Sequence, residues 1–111
     1  MKARVLFSTV GDAEAAEQLA RAWVEARLAA CVQVLPKIES TYRWKGAIER
    51  SSESLLVAKF ACRDDEVAGC LRGFAEAHPY EVPELVVLDA VAVGDSYLDW
   101  LLREGRSPGD R

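Results

Sequence analysis

Two segments with helical periodicity, flanked and separated by strand-like segments, constrain the fold of this chain more than any other feature. Apolar residues recur at helical spacing over 13–29 and again over 64–78, where Pro79 ends the pattern. Strand patterns occupy the other apolar segments, which are 3–10, 31–35, 38–50, 54–61 and 85–93. The order β-α-β-β-α-β predicts an α+β sandwich of the ferredoxin-like kind, followed by a short helix that begins at Asp95.

The segment between the two predicted helices favours an extended β-hairpin. Pro36 interrupts the first strand of this segment, and Lys45-Gly46 is the predicted bend. Ser51-Ser52 breaks the strand pattern before the most apolar strand, 54–61. We therefore expect an arm whose strands have unpaired edges.

The strands 54–61 and 85–93 are apolar at nearly every position, although helices are expected to cover only one face of the sheet. A sheet that is apolar on both faces needs a second cover, and the edges of the hairpin need partners. Association of subunits meets both needs. The pattern therefore predicts an obligate oligomer.

Length and charge restrict the class of protein. The 111 residues allow one domain, which we place at 1–103, with 104–111 as a flexible tail. The net charge of −4 argues against a nucleic-acid binder, because no basic excess exists to displace phosphate counterions. No apolar run approaches the roughly 20 residues that a membrane helix needs, so we expect no membrane partner.

The cysteines and the missing motifs narrow the function. Cys31, Cys62 and Cys70 are widely spaced and form no CxxC motif, which indicates a reducing cytoplasm rather than a disulfide scaffold or a zinc ribbon. The motifs GxGxxG, GxxxxGK[ST] and GxSxG do not occur. The sequence therefore predicts no catalytic residues and no enzyme.

Four short motifs follow one another along the chain: Leu28-Ala29-Ala30-Cys31-Val32, Tyr42-Arg43-Trp44-Lys45-Gly46, His78-Pro79-Tyr80-Glu81-Val82-Pro83-Glu84 and Tyr97-Leu98-Asp99-Trp100-Leu101. In this order and spacing, over about residues 5 to 102, the chain resembles the CutA family of divalent-cation-tolerance proteins. The resemblance implies a cytoplasmic homotrimer of ferredoxin-like subunits, similar in build to PII signalling proteins, that associates with copper and other divalent cations. Ser8 and Ala77 occupy positions where some members of that family carry metal-binding cysteine and histidine residues.

The candidate metal ligands are His78, Glu84 and Cys31. His78 is the only histidine in the chain, and its alternative role is a helix-ending side chain bonded to backbone. Glu84 opens a strand and could ligate a cation beside His78. A thiolate at Cys31 would suit copper or zinc, whereas a small buried apolar side chain is the commoner fate of a free cysteine.

Three further residues are candidates for the wall of a ligand cleft. Lys59 lies inside the most apolar strand, so it is either a paired interface charge or an anion-binding group. Tyr80 is held between two prolines, and Trp44 could pack between subunits or against a planar ligand. These residues support an alternative function, a PII-like module that binds a small anionic metabolite or nucleotide. A scaffold that anchors partner proteins is a third possibility.

Overall fold

The computed structural model describes residues 1–105. Within this range the chain forms one sheet and three α-helices, with a short 3-10 turn before the second helix. The elements are β1 (Lys2–Val10), α1 (Ala13–Glu25), β2 (Cys31–Trp44), β3 (Ala47–Cys62), the 3-10 turn (Asp64–Glu66), α2 (Val67–Ala77), β4 (Val86–Asp89) and α3 (Asp95–Glu104). The structure places Glu104 at the end of α3. Positions 106–111 of the predicted tail lie outside the described residues.

The sheet has the strand order β2-β3-β1-β4, and all neighbouring strands are antiparallel. β3 and β1 are therefore the two central strands. The crossover through α1 passes over β3, and the crossover through α2 passes over β1. This topology confirms the predicted ferredoxin-like α+β fold.

The hairpin is longer and more continuous than its sequence pattern indicates. β2 passes through Pro36 as one strand, because a register shift between Leu35 and Ile38 leaves the proline, which has no N–H, outside the ladder. Ser51-Ser52 does not interrupt β3 either, since both serines pair with residues of β2. Ladder hydrogen bonds here override the weak strand propensity of serine.

The bend at Lys45-Gly46 is confirmed. Trp44 and Ala47 form the last pair of the ladder, so the turn contains two residues. Both have positive φ, 50° at Lys45 and 82° at Gly46, as a tight hairpin turn with the right-handed strand twist requires.

α1 begins as predicted, with the Asp12 carboxylate accepting the Ala15 N–H at 2.8 Å. It ends at Glu25, whereas its apolar periodicity predicts residue 29. Arg27 adopts φ 61°, its N–H donates to the Val24 carbonyl, and the next N–H, of Leu28, donates to the Trp23 carbonyl. This is a Schellman ending built on an arginine, without the glycine that normally signals it.

β4 is shorter than predicted, covering 86–89 instead of 85–93. It pairs with β1 as far as Arg4, and one further bond joins the Ala90 N–H to the Ala3 carbonyl. The start of β1 is then reached, so residues 91–93 have no strand to pair with.

The core lies between the sheet and the helices α1 and α2. Its centre is an aromatic cluster in which Phe74 meets the rings of Trp23 and Phe60 edge to face, at centroid distances of 4.9 and 5.1 Å. The Trp23 indole N–H donates to the Phe74 carbonyl at 3.1 Å, so its one polar atom is satisfied. The fully buried aliphatic side chains around this cluster include Leu6, Val10 and Leu56.

A buried arginine, which the sequence pattern does not single out, joins three elements at the start of β1. Arg4 is 4% exposed and donates to Asp89 at 2.8 Å, to Asp64 at 2.7 Å and to the Cys62 carbonyl at 3.2 Å. The bond from Arg4 holds the pKa of Asp64 below its usual value. The guanidinium thus connects β1 with β4 and with the 3-10 turn.

The sheet face opposite α1 and α2 is covered only in part, by α3. Large apolar side chains on this face remain about half exposed: Leu35, Val86 and Leu88. Their strand partners Leu55, Phe7 and Val5 lie on the same face, because paired residues point to the same side. We call this surface the open face.

We expect Phe74→Ala to lower the free energy of unfolding by about 3–5 kcal/mol, because it removes both edge-to-face contacts and leaves a cavity. Urea unfolding at one fixed protein concentration measures the change. Ile48→Ala is the control, since Ile48 is 68% exposed and should change stability by no more than about 0.5 kcal/mol. Equal losses in the two variants would contradict this assignment of the core.

Candidate functional site

His78 follows α2 directly and lies between the end of β1 and the loop that leads to β4. Its backbone is extended, as the following Pro79 requires. The Tyr80 N–H donates to Nδ1 at 3.1 Å, so this nitrogen is an acceptor and the proton resides on Nε2. Nε2–H then donates to the Thr9 carbonyl at 2.9 Å. Both ring nitrogens are therefore bonded to backbone, and the ring joins β1 to the loop.

Burial lowers the pKa of His78, since the ring is only 8% exposed. The neutral form also fits the geometry, because a protonated Nδ1 would point a hydrogen at the Tyr80 N–H. A cation can use this imidazole only if one of its two backbone bonds opens. Holding the loop is the role that the observed geometry supports.

Tyr80 extends this network to the hairpin. Its O–H donates to Glu53 Oε2 at 3.0 Å, and its ring packs edge to face on His78 at a centroid distance of 4.9 Å. Burial and the neighbouring Glu53 carboxylate raise the pKa of Tyr80 to about 12. Tyr80 is thus a neutral hydrogen-bond donor at neutral pH.

Glu53 is a functional candidate that the sequence analysis missed. It is 9% exposed, although carboxylates are rarely buried without a cationic partner. The signal available in the sequence was its position, a single charge at the boundary between Ser51-Ser52 and the most apolar part of β3. Only the fold shows that this boundary lies opposite the loop after α2.

A cavity of about 750 Å³ opens between the hairpin and this loop. Its wall contains three aromatic rings, three carboxylates and several hydroxyl groups. The aromatic residues are Tyr42, Trp44 and Tyr80, and the acidic residues are Glu53, Glu81 and Glu84. No lysine or arginine belongs to this wall within residues 1–105. We call it the acidic cavity.

The structure brings some predicted site residues together and separates others. Tyr80, Trp44 and Glu84 line the acidic cavity, and His78 lies behind it on the Thr9 carbonyl. Cys31 pairs with Lys59, which in turn pairs with Val5 on β1. Four strand residues, or roughly 13 Å, separate Val5 from Thr9. Within one chain Cys31 is therefore remote from His78.

Lys59 lies outside the acidic cavity of the single chain. Its ammonium donates to Gln33 Oε1 at 2.8 Å and lies 5.9 Å from the centre of the Tyr97 ring. It lines a second cavity of about 200 Å³ on the open face, beneath α3. Its partner within the chain is an amide, and it does not meet Tyr80 or Trp44.

Ser8 is fully buried in β1, on the face toward α1 and α2, and its hydroxyl has no hydrogen-bond partner in the described part of the chain. Across residues 1–105 no three histidine, cysteine or acidic side chains come close enough together to hold a metal ion. None of the helices in this range combines the length and apolar character needed to span a membrane.

The strand order, the two helices on one face and the cavity at the loop after α2 define an α+β domain of ferredoxin-like topology with an extended hairpin. The family described as CutA1 divalent ion tolerance protein matches residues 4–104. The chain belongs to this family.

Related proteins agree with this assignment. The chain is 41% identical over 98 residues to the divalent-cation tolerance protein CutA of Thermus thermophilus, covering 87% of this chain and 92% of that protein. It is 37% identical over 103 residues to the chloroplastic CutA of Arabidopsis thaliana, covering 93% of this chain but only 56% of that protein. The crystal structure of CutA1 from Oryza sativa superposes with a TM-score of 0.86 at 33% identity, covering 96% and 95% of the two chains.

His78 makes stability depend on pH. Since burial lowers its pKa below the usual 6.5, the unfolded chain takes up a proton at a higher pH than the folded chain. This contribution to stability is complete above pH 6.5 and is lost as the pH falls toward the lowered pKa. We expect a decrease of at most about 1.4 kcal/mol per pH unit in this window.

The variant His78→Gln should lack this component, because the chain contains no other histidine. Urea unfolding of both proteins at several values between about pH 5 and pH 8 compares the slopes. Identical slopes in the parent and the variant would show that His78 is not held neutral in the folded chain.

Proposed function

We propose that this protein contributes to divalent-cation tolerance by binding divalent cations as a cytoplasmic homotrimer, with copper among the cations and without catalysing a reaction. Membership of the CutA1 family supports the role in tolerance. The observation that carries cation binding is the acidic cavity, whose wall has three carboxylates and, among the described residues, no basic side chain. A negative cavity attracts cations and disfavours anions.

The proposed ligand at the mouth of the cavity is Glu84, with Glu81 beside it on the same loop. Both are exposed and free to approach an ion, while the prolines of the loop restrict their backbone. Divalent cations usually take four or more ligands, so the site needs water or groups from a second subunit. His78 can join only by releasing one backbone bond, and Cys31 can join only from another subunit.

The donor chemistry bears on the choice of cation. Carboxylate and hydroxyl oxygens suit hard or borderline divalent ions, whereas copper also favours imidazole. Participation of His78 should therefore distinguish copper from an ion held by oxygen ligands alone. The anionic-metabolite alternative loses support, because Lys59 lies outside the acidic cavity and the wall is negative.

The proposed cation site is tested by titrating the purified protein with Cu(II) and Zn(II). Glu84→Gln should weaken binding by about tenfold or more, because glutamine keeps the shape of glutamate but loses its charge. Glu17→Gln is the matched control, because this carboxylate is exposed on α1, away from the cavity wall. His78→Ala should weaken Cu(II) more than Zn(II).

The expected result is saturation of the parent at a fixed number of ions per chain, with binding weakened in Glu84→Gln but not in Glu17→Gln. Binding that does not saturate, or that is equal in these two variants, would overturn the proposed site.

The open face supports the homotrimer. Leu35, Val86 and Leu88 are each almost half exposed on a surface that single-chain packing leaves uncovered. Burial of this apolar area contributes roughly 25 cal/mol per Å² to the free energy of association. An oligomer with closed symmetry would bury the same face of every subunit. We therefore place the subunit contacts on this face.

Light scattering should give three times the chain mass of 12.2 kDa. Leu88→Glu should reduce this mass, because it places a charge in the proposed contact surface. Val24→Glu is the control, since Val24 is 41% exposed on α1, away from the open face. A parent that is monomeric, or a Leu88→Glu protein that keeps the parent mass, would contradict this placement.

A further inference from the structure

We propose that the acidic cavity binds an aliphatic diamine or longer polyamine. One ammonium group would meet the buried carboxylate of Glu53, the carbon chain would lie against the aromatic wall, and a second ammonium would meet the carboxylates at the mouth. This inference goes beyond metal tolerance and does not rest on the proposed metal site or on the homotrimer. Every group that it uses belongs to one chain.

Glu53 supplies the strongest argument. Its side chain is nine-tenths buried in the cavity wall, and Oε2 accepts the Tyr80 hydroxyl. A buried carboxylate is costly unless a donor or cation compensates it, and the cavity wall within residues 1–105 contains no lysine or arginine. The proposed amine would supply a cation at this carboxylate.

The aromatic wall indicates an organic cation rather than a hydrated metal ion. Tyr42, Trp44 and Tyr80 are 44%, 45% and 38% exposed, so their rings are available to a ligand in the cavity. Ammonium groups are attracted to such rings, and alkyl chains bury apolar area against them. The indole of Trp44 already attracts one ammonium, that of Lys45 at the hairpin turn, 5.9 Å from its ring centre.

The arrangement of the carboxylates favours more than one ammonium group. Glu53 lies buried in the wall, whereas Glu81 and Glu84 are exposed on the loop at the mouth. No three acidic, histidine or cysteine side chains among residues 1–105 come close enough together to hold a metal ion by themselves. Separated carboxylates with aromatic rings between them match a chain of charged amines. The volume of about 750 Å³ accommodates such a chain.

The test is a calorimetric titration with 1,4-diaminobutane, in the presence of a chelator so that metal binding cannot contribute. Butylamine serves as the matched ligand with one ammonium. We expect saturable binding of the diamine and at least tenfold weaker binding of butylamine. Glu53→Gln should weaken diamine binding about tenfold or more, because glutamine keeps the shape and the acceptor for Tyr80 but loses the charge.

Glu17→Gln, on α1, changes the net charge equally and should bind the diamine as the parent does. If Glu53→Gln does not fold, Tyr42→Leu and Trp44→Leu decide instead, because both residues are half exposed on the hairpin. Absence of saturable diamine binding, equal affinity for butylamine, or unchanged affinity in Glu53→Gln or the two leucine variants would overturn the proposal. The chelator separates this result from failure of the metal site, which is scored by the Cu(II) and Zn(II) titration alone.

Discussion

The imidazole of His78 is the contact on which the candidate site depends. By donating to the Thr9 carbonyl and accepting a hydrogen bond from the Tyr80 N–H, it joins β1 to the loop between α2 and β4. This places Tyr80 against Glu53, closes one side of the acidic cavity and directs Glu84 to its mouth. Since acceptance of the Tyr80 N–H needs the neutral ring, the burial that lowers the pKa of His78 also maintains the cavity.

Electrostatics then decide what the cavity can accept. The fold places the carboxylates of Glu53, Glu81 and Glu84 in one wall, while Lys59 and Arg4 lie elsewhere with partners of their own. A negative wall attracts cations, which supports both proposals, a metal ion at the exposed mouth and an amine against the buried carboxylate.

Local patterns predicted elements well where local chemistry decides them. Asp12 begins α1, the proline after His78 ends α2, and Lys45-Gly46 forms the hairpin turn, because each depends on a cap, a ring or a positive φ. Prediction failed at the ends of two elements. β4 stops at Asp89, opposite Arg4 near the start of β1, and Arg27 ends α1 by a Schellman motif that carries no glycine.

The sequence by itself determined the order of strands and helices, and hence the ferredoxin-like topology, since hydrophobic periodicity and turn residues act over a few neighbours. It also identified Tyr80, Glu84 and Trp44 as candidates. Only the tertiary structure decided that these three share a cavity with Glu53, and that Cys31 and Lys59 do not. Strand register sets that grouping, and register arises from pairing between residues far apart in the chain, which no local pattern encodes.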